Sequence, residues 1–304
     1  MNKSWAWTLL TLCNLFWAGN YIVGKLIVVS ISPFWITLIR WGIALIFLVP
    51  LAYFFERPRW SLIRRYWLPL SLMGGLGVVG FTLICYVALE YTSPTNAAFV
   101  EALIPAVVVI FSFFLLYERI SYLQIAGFFL SCLGVVILLT KGSLDQIILM
   151  SFNKGDLLML VAVLAWAFYS IIGKKVDLPP ITATAASSFF GMLMLLPFAL
   201  FIEASLPEWS VWTVSGMLYM SLFASVASYL FWNMSVRVIG ASQASVFLNL
   251  VPIFTIMLSL ALGDTITLSQ IGGGLIVLVG VYLTTGLLDQ VIASRVKPKE
   301  VQIK

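Results

Sequence analysis

Apolar runs of about 20 residues recur ten times along this chain, and no other feature narrows its fold so sharply. A helix needs about 20 apolar residues to cross the hydrocarbon core of a bilayer. The runs cover Trp5–Val28, Pro33–Phe55, Tyr66–Leu89, Pro94–Tyr117 and Tyr122–Thr140, then Asp156–Gly173, Thr182–Ile202, Val211–Val236, Ser242–Leu262 and Leu268–Leu288. Pro, Gly and charge mark the breaks, as in Glu56-Arg57-Pro58-Arg59 and Asp177-Leu178-Pro179-Pro180. Only 10% of residues are charged and 62% are hydrophobic, whereas a water-covered surface takes roughly 25% charge. Lipid must therefore replace water around most side chains. The expectation is an all-α integral membrane protein of ten transmembrane helices.

The charges then give an orientation. When alternate loops are assigned to opposite faces, one face holds Lys3, Arg57, Arg59, Arg64, Arg65, Arg119, Lys174, Lys175, Arg237, Arg295, Lys297, Lys299 and Lys304. The other holds only Lys25, Lys141 and Lys154, and Arg40 lies within a span. Short basic loops stay cytoplasmic, so both termini are predicted inside a bacterial-type inner (plasma) membrane. The net charge of +5 thus sets topology and does not point to nucleic acid. The first apolar run is long for a signal peptide and lacks a cleavage site, so it is expected to stay as a span. The tail 291–304 is expected to lie in the cytoplasm near anionic lipid. Trp5, Trp7, Trp60, Trp67, Trp209 and Trp212 fall near span ends, as an interfacial aromatic belt does.

The two halves also match each other in order. Trp17-Ala18 and Gly24-Lys25 align with Trp166-Ala167 and Gly173-Lys174. Pro33, Pro50, Glu56 and Pro105 align with Pro180, Pro197, Glu203 and Pro252. Glu118, Ile120, Gln124, Gly127 and Gly134 align with Asp264, Ile266, Gln270, Gly273 and Gly280. The expected division is 1–146 and 147–290, with a tail from 291. Five spans is an odd number, so the second half enters the membrane inverted. Two inverted five-helix repeats are a common basis for alternating access.

These residues carry a resemblance. Phe16-Trp17-Ala18-Gly19-Asn20, Arg40, the stretch Thr92–Pro105 leading into Tyr117-Glu118-Arg119-Ile120-Ser121, and Gly155-Asp156-Leu157-Leu158 to Ala165-Trp166-Ala167 are similar to the EamA-type carriers of the drug/metabolite transporter superfamily. The resemblance spans roughly residues 5–290. It implies ten helices in two inverted repeats, with a central cavity lined mainly by the first four helices of each half. It also implies solute transport, often export of amino acids or related metabolites. Gly263-Asp264-Thr265 departs from the pattern, which often has Glu there.

Within the membrane, a few polar side chains stand out. Arg40 lies seven residues past Pro33 and Glu101 seven past Pro94, which places both about 10 Å deep from the less basic face. Asn20 falls at a similar level. An isolated charge at that depth costs about 3 kcal/mol or more, so these groups should pair or face water. Three readings stay open: a structural Arg40–Glu101 ion pair, contact with substrate, or a proton carrier at Glu101. Arginine holds a carboxylate through paired hydrogen bonds and glutamate holds an amine, so the two together suit a zwitterion. The second half has Ser187 and Leu248 at the equivalent positions, with Asn233, Gln243, Ser245 and Asn249 as its polar groups. Asn249 suits either substrate or a neighbouring helix. Trp17, Trp166, Tyr86 and Tyr169 suit either a cavity wall or lipid-facing packing. Pro105 and Pro252 remove backbone hydrogen bonds and suit hinges.

Other classes of function fit poorly. The chain has no His, which removes Ser–His dyads and His-held zinc or haem. No paired aspartates lie at membrane depth, and no Gly-x-x-x-x-Gly-Lys loop offers ATP drive. Cys13, Cys85 and Cys132 lie in apolar runs without paired spacing. No enzyme activity, cofactor or metal is expected. The expected partners are a small-molecule substrate and membrane lipid, and oligomeric state is left open. A secondary-active carrier for amino acids or related metabolites is the first reading. A channel or structural membrane subunit is the alternative, although channels usually ring a pore with like groups from several subunits.

Overall fold

The computed structural model describes residues 1–92, 97, 100–117, 120–143, 145, 153–202, 210–261, 263, 265 and 267–289. Pro94, Glu118, Arg119, Glu203, Trp209, Asp264, Ile266 and the tail 291–304 lie outside them, as does the side chain of Lys25. The described residues form ten helical rods: α1 Lys3–Ile27, α2 Pro33–Glu56, α3 Trp67–Tyr91, α4 ending in Ile104–Leu116, α5 Tyr122–Leu139, α6 Lys154–Lys175, α7 Pro180–Leu200, α8 Val211–Ile239, α9 from Ala241 to Ala261, and α10 Leu268–Thr284. Each falls within a few residues of an expected span. The chain is an all-α, multi-pass membrane protein built as two inverted five-helix repeats.

Local chemistry sets the rod ends. Ser121 caps α5 and Thr267 caps α10, each answered by a glutamine three residues on, Gln124 and Gln270. Asn153 and Asp156 do the same for α6. These reciprocal bonds satisfy N–H groups that a helix start leaves open. Pro50 and Pro197 occupy matching places in α2 and α7, and the winding changes just beyond Pro50 and around Pro197. α2 widens to a π-helix over Ala52–Glu56, and α7 tightens to a 3₁₀-helix over Leu196–Leu200, as expected where proline removes a bond and crowds the preceding turn. A short exposed helix, Trp60–Arg65, occupies what the sequence suggested was a plain loop.

Two further departures matter for the site. α3 and α8 each contain a π-helical stretch, Gly75–Leu83 and Met220–Ala227, at matching places in the repeats. Such widened turns are rare and cluster at functional sites. α4 is broken and α9 is tightened: Ala102 and Leu103 form a turn before Ile104, and Phe247–Asn249 is a 3₁₀ turn before Leu250. Pro105 therefore opens a new helical segment, while Pro252 follows a 3₁₀ turn within a helix that runs on through it. Pro105 lies in the first turn of its segment, where its missing N–H has no partner to lose.

α5 and α10 pack together through glycine. A Cβ on Gly127 would stand 2.6 Å from the Gly280 carbonyl, and one on Gly134 2.6 Å from the Val277 nitrogen. The backbones touch, as small residues permit in membranes. Most of the buried core lies among the other eight rods, around Trp41, Trp166, Tyr169 and Trp232, with Val135 of α5 and Val277 and Val281 of α10 joining it.

Candidate functional site

At the centre of those eight rods, α1, α2, α3 and α4 meet α6, α8 and α9 around a cavity of about 30 Å³. Its wall includes Trp17, Asn20 and Tyr21 from α1, Arg40 from α2, Thr82 and Tyr86 from α3, Glu101 from α4, Trp166 from α6, Tyr229 from α8 and Leu248 from α9. Sites for small molecules usually enclose roughly 300–1,000 Å³, so this conformation is contracted. α5 and α10 do not reach it.

Arg40, only 3% exposed, is held on several sides. Its Nη1 donates to Asn20 Oδ1 at 2.9 Å and to Tyr86 Oη at 2.7 Å, and its Nη2 donates to the Ala224 carbonyl at 3.0 Å. Its Nε donates to Ser225 Oγ. Ala224 and Ser225 belong to the π-helical stretch of α8, whose wider winding presents them toward α1 and α2. The Ala224 carbonyl also accepts from Trp17 Nε1 at 3.0 Å. A guanidinium has five N–H donors, and these four bonds go to neutral oxygens. None goes to Glu101. The Glu101 carboxylate instead accepts the Tyr21 hydroxyl, across α4 and α1.

Of the residues singled out from sequence, the structure brings Asn20, Arg40, Glu101, Trp17, Tyr86 and Trp166 together at this one cavity. Tyr169 lies just behind it, 1% exposed, with its hydroxyl accepting from Asn233 Nδ2 at 2.7 Å. Trp17, Tyr86, Trp166 and Tyr169 are all buried within the protein. Asn249 is elsewhere, donating to Ser131 Oγ on α5 at 2.8 Å. Pro105 and Pro252 adjoin the cavity residues Ile104 and Leu248 without lining it. Sequence reasoning missed Tyr21, Thr82, Ser225, Tyr229 and the Ala224 carbonyl. Tyr21 follows Asn20 in the first motif and was within reach; a backbone carbonyl leaves no mark in composition.

At the basic-face end the two halves are tied. Glu56, at the end of α2, accepts from the backbone N–H groups of Ile181 and Thr182 at 3.0 and 2.7 Å and from Thr182 Oγ1 at 2.8 Å. An anion at a helix N-terminus is favourable because the unpaired N–H groups and the dipole both point at it. Within the second half, Lys174 Nζ donates to the carbonyls of Val236 and Arg237, and Arg237 donates to that of Val176. A second, larger hollow of about 890 Å³ lies between α4, α5 and α9 and is walled chiefly by apolar side chains.

The sequence profile of the EamA-like transporter family matches residues 4–140 and again 153–286. The chain belongs to the EamA-like transporter family. This EamA-like protein is therefore a transporter of the drug/metabolite transporter superfamily and not an enzyme, and transport implies a small-molecule substrate. It is similar to the "Uncharacterized transporter YyaM" of Bacillus subtilis (strain 168), 30% identical over 279 residues, covering 90% of this chain and 92% of that one. An "Uncharacterized transporter" of Archaeoglobus fulgidus is 32% identical over 286 residues, covering 93% and 98%. A Salmonella typhimurium (strain LT2) relative named "Probable amino-acid metabolite efflux pump" is 24% identical, covering 88% and 90%. A solved crystal structure superposes with a TM-score of 0.78 at 18% identity, covering 98% of this chain and 100% of that one. The ten-helix fold is thus a known one.

Proposed function

We propose that this EamA-like transporter is a secondary-active carrier that exports zwitterionic metabolites of the amino-acid type by alternating access. Its units are the halves 1–146 and 147–290, and both termini lie on the cytoplasmic side of the inner membrane. The observation that carries the reading is that Arg40 and Glu101 line one cavity while bonded to different neighbours. A substrate carboxylate takes the remaining N–H of the guanidinium, and its ammonium group meets the Glu101 carboxylate. Charge-assisted bonds of this kind are roughly twice as strong as neutral ones. Trp17, Trp166, Tyr86 and Tyr229 supply an aromatic wall for the apolar part. The bias of Lys and Arg to one face supports the orientation. The name of the Salmonella relative, an amino-acid metabolite efflux pump, supports amino-acid metabolites and export.

The test is reconstitution into liposomes with labelled amino acids, sugars and nucleosides. The expected result is saturable uptake of an amino acid that accelerates when unlabelled substrate waits on the far side. Glu101→Gln should abolish it while the folded protein is still made. Uptake that never saturates, or a panel without any amino-acid substrate, overturns the reading.

A further inference from the structure

The register that aligns Pro33 with Pro180 also aligns Thr82 with Tyr229 and Glu101 with Leu248, while Trp17 aligns with Trp166. All six of these last residues line the central cavity. The cavity therefore straddles the axis that relates the halves. The rest of its lining comes from the first half alone. The mates of Asn20, Tyr86 and Arg40 are Tyr169, Asn233 and Ser187, which are buried together and lie off the cavity.

Those mates repeat the first-half network with its chemistry exchanged. In the first half Tyr86 on α3 donates to Asn20 on α1 at 3.0 Å. In the second half Asn233 on α8 donates to Tyr169 on α6 at 2.7 Å and to Thr184 Oγ1 on α7 at 2.9 Å. Amide and phenol have traded places while the contact is kept. Ser187, which stands for Arg40, donates to the Thr184 carbonyl at 3.1 Å. Ser187 follows Pro180 by seven residues, about 10 Å from the basic face.

Besides the bonds of Arg40 and Glu101, a tryptophan contact is not repeated. Trp17 Nε1 donates to the Ala224 carbonyl in the π-helical stretch of α8. The repeat-related bond would run from Trp166 Nε1 to the Gly77 carbonyl in the π-helical stretch of α3. That carbonyl instead takes Thr82 Oγ1 at 2.9 Å and Tyr229 Oη at 3.1 Å. Trp166 Nε1, on a residue that lines the cavity, is a buried donor with no partner among the described residues, as is Trp41 Nε1. Buried donors are almost always satisfied, so an unsatisfied one calls for a cause.

We infer that Tyr169, Asn233, Thr184 and Ser187 form a second substrate position, which opens to the basic face when the halves exchange conformations and Trp166 closes on the Gly77 carbonyl. Inverted repeats reach their two facing states by such an exchange. The position rests on the carrier reading and extends it. It holds the polar end of the same zwitterion through neutral hydroxyl and amide groups, because Ser187 and Leu248 replace Arg40 and Glu101. Substrate is gripped by charge toward one face and by neutral hydrogen bonds toward the other, so the two faces bind it with different strength. In the present conformation the basic-face end is tied by Glu56, in keeping with Ser187 being 2% exposed.

Two measurements on the full chain test this. In the first, Ser187→Cys is made with Cys13, Cys85 and Cys132 replaced by alanine, reconstituted, and treated with a small membrane-impermeant thiosulfonate from each face. Modification from the basic face alone is expected, falling about tenfold when Trp166→Phe removes the indole donor. Modification from the opposite face, or none from either in protein that remains folded, overturns the inference. This readout needs no substrate, so it stands even if the carrier reading fails. In the second, Asn233→Leu is tested with whichever labelled amino acid the panel identifies. Half-saturation at the basic face should rise about tenfold, as for one lost hydrogen bond, and by less than twofold at the opposite face. Equal shifts on both faces count against the second position.

Discussion

Arg40 commits four donors to Asn20, Tyr86, Ser225 and the Ala224 carbonyl, and it does so across both halves. Lysine has three donors on a point charge and cannot span that fork. Arg40→Lys should therefore abolish transport and lower stability by about 2 kcal/mol or more, read as a fall in melting temperature in detergent. Glu56 acts on a different link. Glu56→Ala leaves the start of α7 uncapped and should cost about 1–2 kcal/mol, while raising reactivity of Ser187→Cys from the basic face. Unchanged stability would show that water replaces the carboxylate there. Arg40, Glu101 and Asn20 were legible in the sequence because a polar group in an apolar run has few reasons to be there. The ion pair between Arg40 and Glu101, left open from sequence, is not what the structure forms. Their actual partners are a phenol, an amide, a hydroxyl and a carbonyl, which propensity and spacing do not rank.

At the scale of whole helices, the α5–α10 pair has no room at its crossing. Gly134→Leu would force the backbones apart, and overpacking of this kind costs about 1–3 kcal/mol. The expected outcome is a lower yield of folded protein in a fluorescence size-exclusion profile. Leu133→Ala, one residue away and 53% exposed, should change little. Pro105 begins a helical segment instead of kinking one, so Pro105→Ala should fold normally. If the break before it serves as the hinge, exchange slows while equilibrium binding holds; intact exchange removes Pro105 from that role. Span positions were readable from the sequence because lipid demands a run of fixed length. The broken α4, the tightened α9 and the widened α3 and α8 were not, because winding is settled by neighbours: Tyr229 and Thr82 on the Gly77 carbonyl, Trp17 and Arg40 on that of Ala224.

For the molecule as a whole, the inverted repeat was visible from matched prolines, glycines and tryptophans, and it ordered the rest. What stayed hidden was how unevenly the halves share the cavity, since Tyr169 and Asn233 look no less exposed in sequence than Asn20 and Tyr86. Cysteines added at the two ends should both escape an impermeant reagent in intact cells and both react in inside-out vesicles, and labelling of either one from outside intact cells would contradict the topology. The π-helical stretches give the assembly one more property. A helix wound too wide by one residue can take that residue back into ordinary winding, turning everything beyond it by about 100° and advancing it by about 1.5 Å. A return to ordinary winding within Gly75–Leu83 of α3 or Met220–Ala227 of α8 would thus turn the far end of that rod like a screw, without bending it.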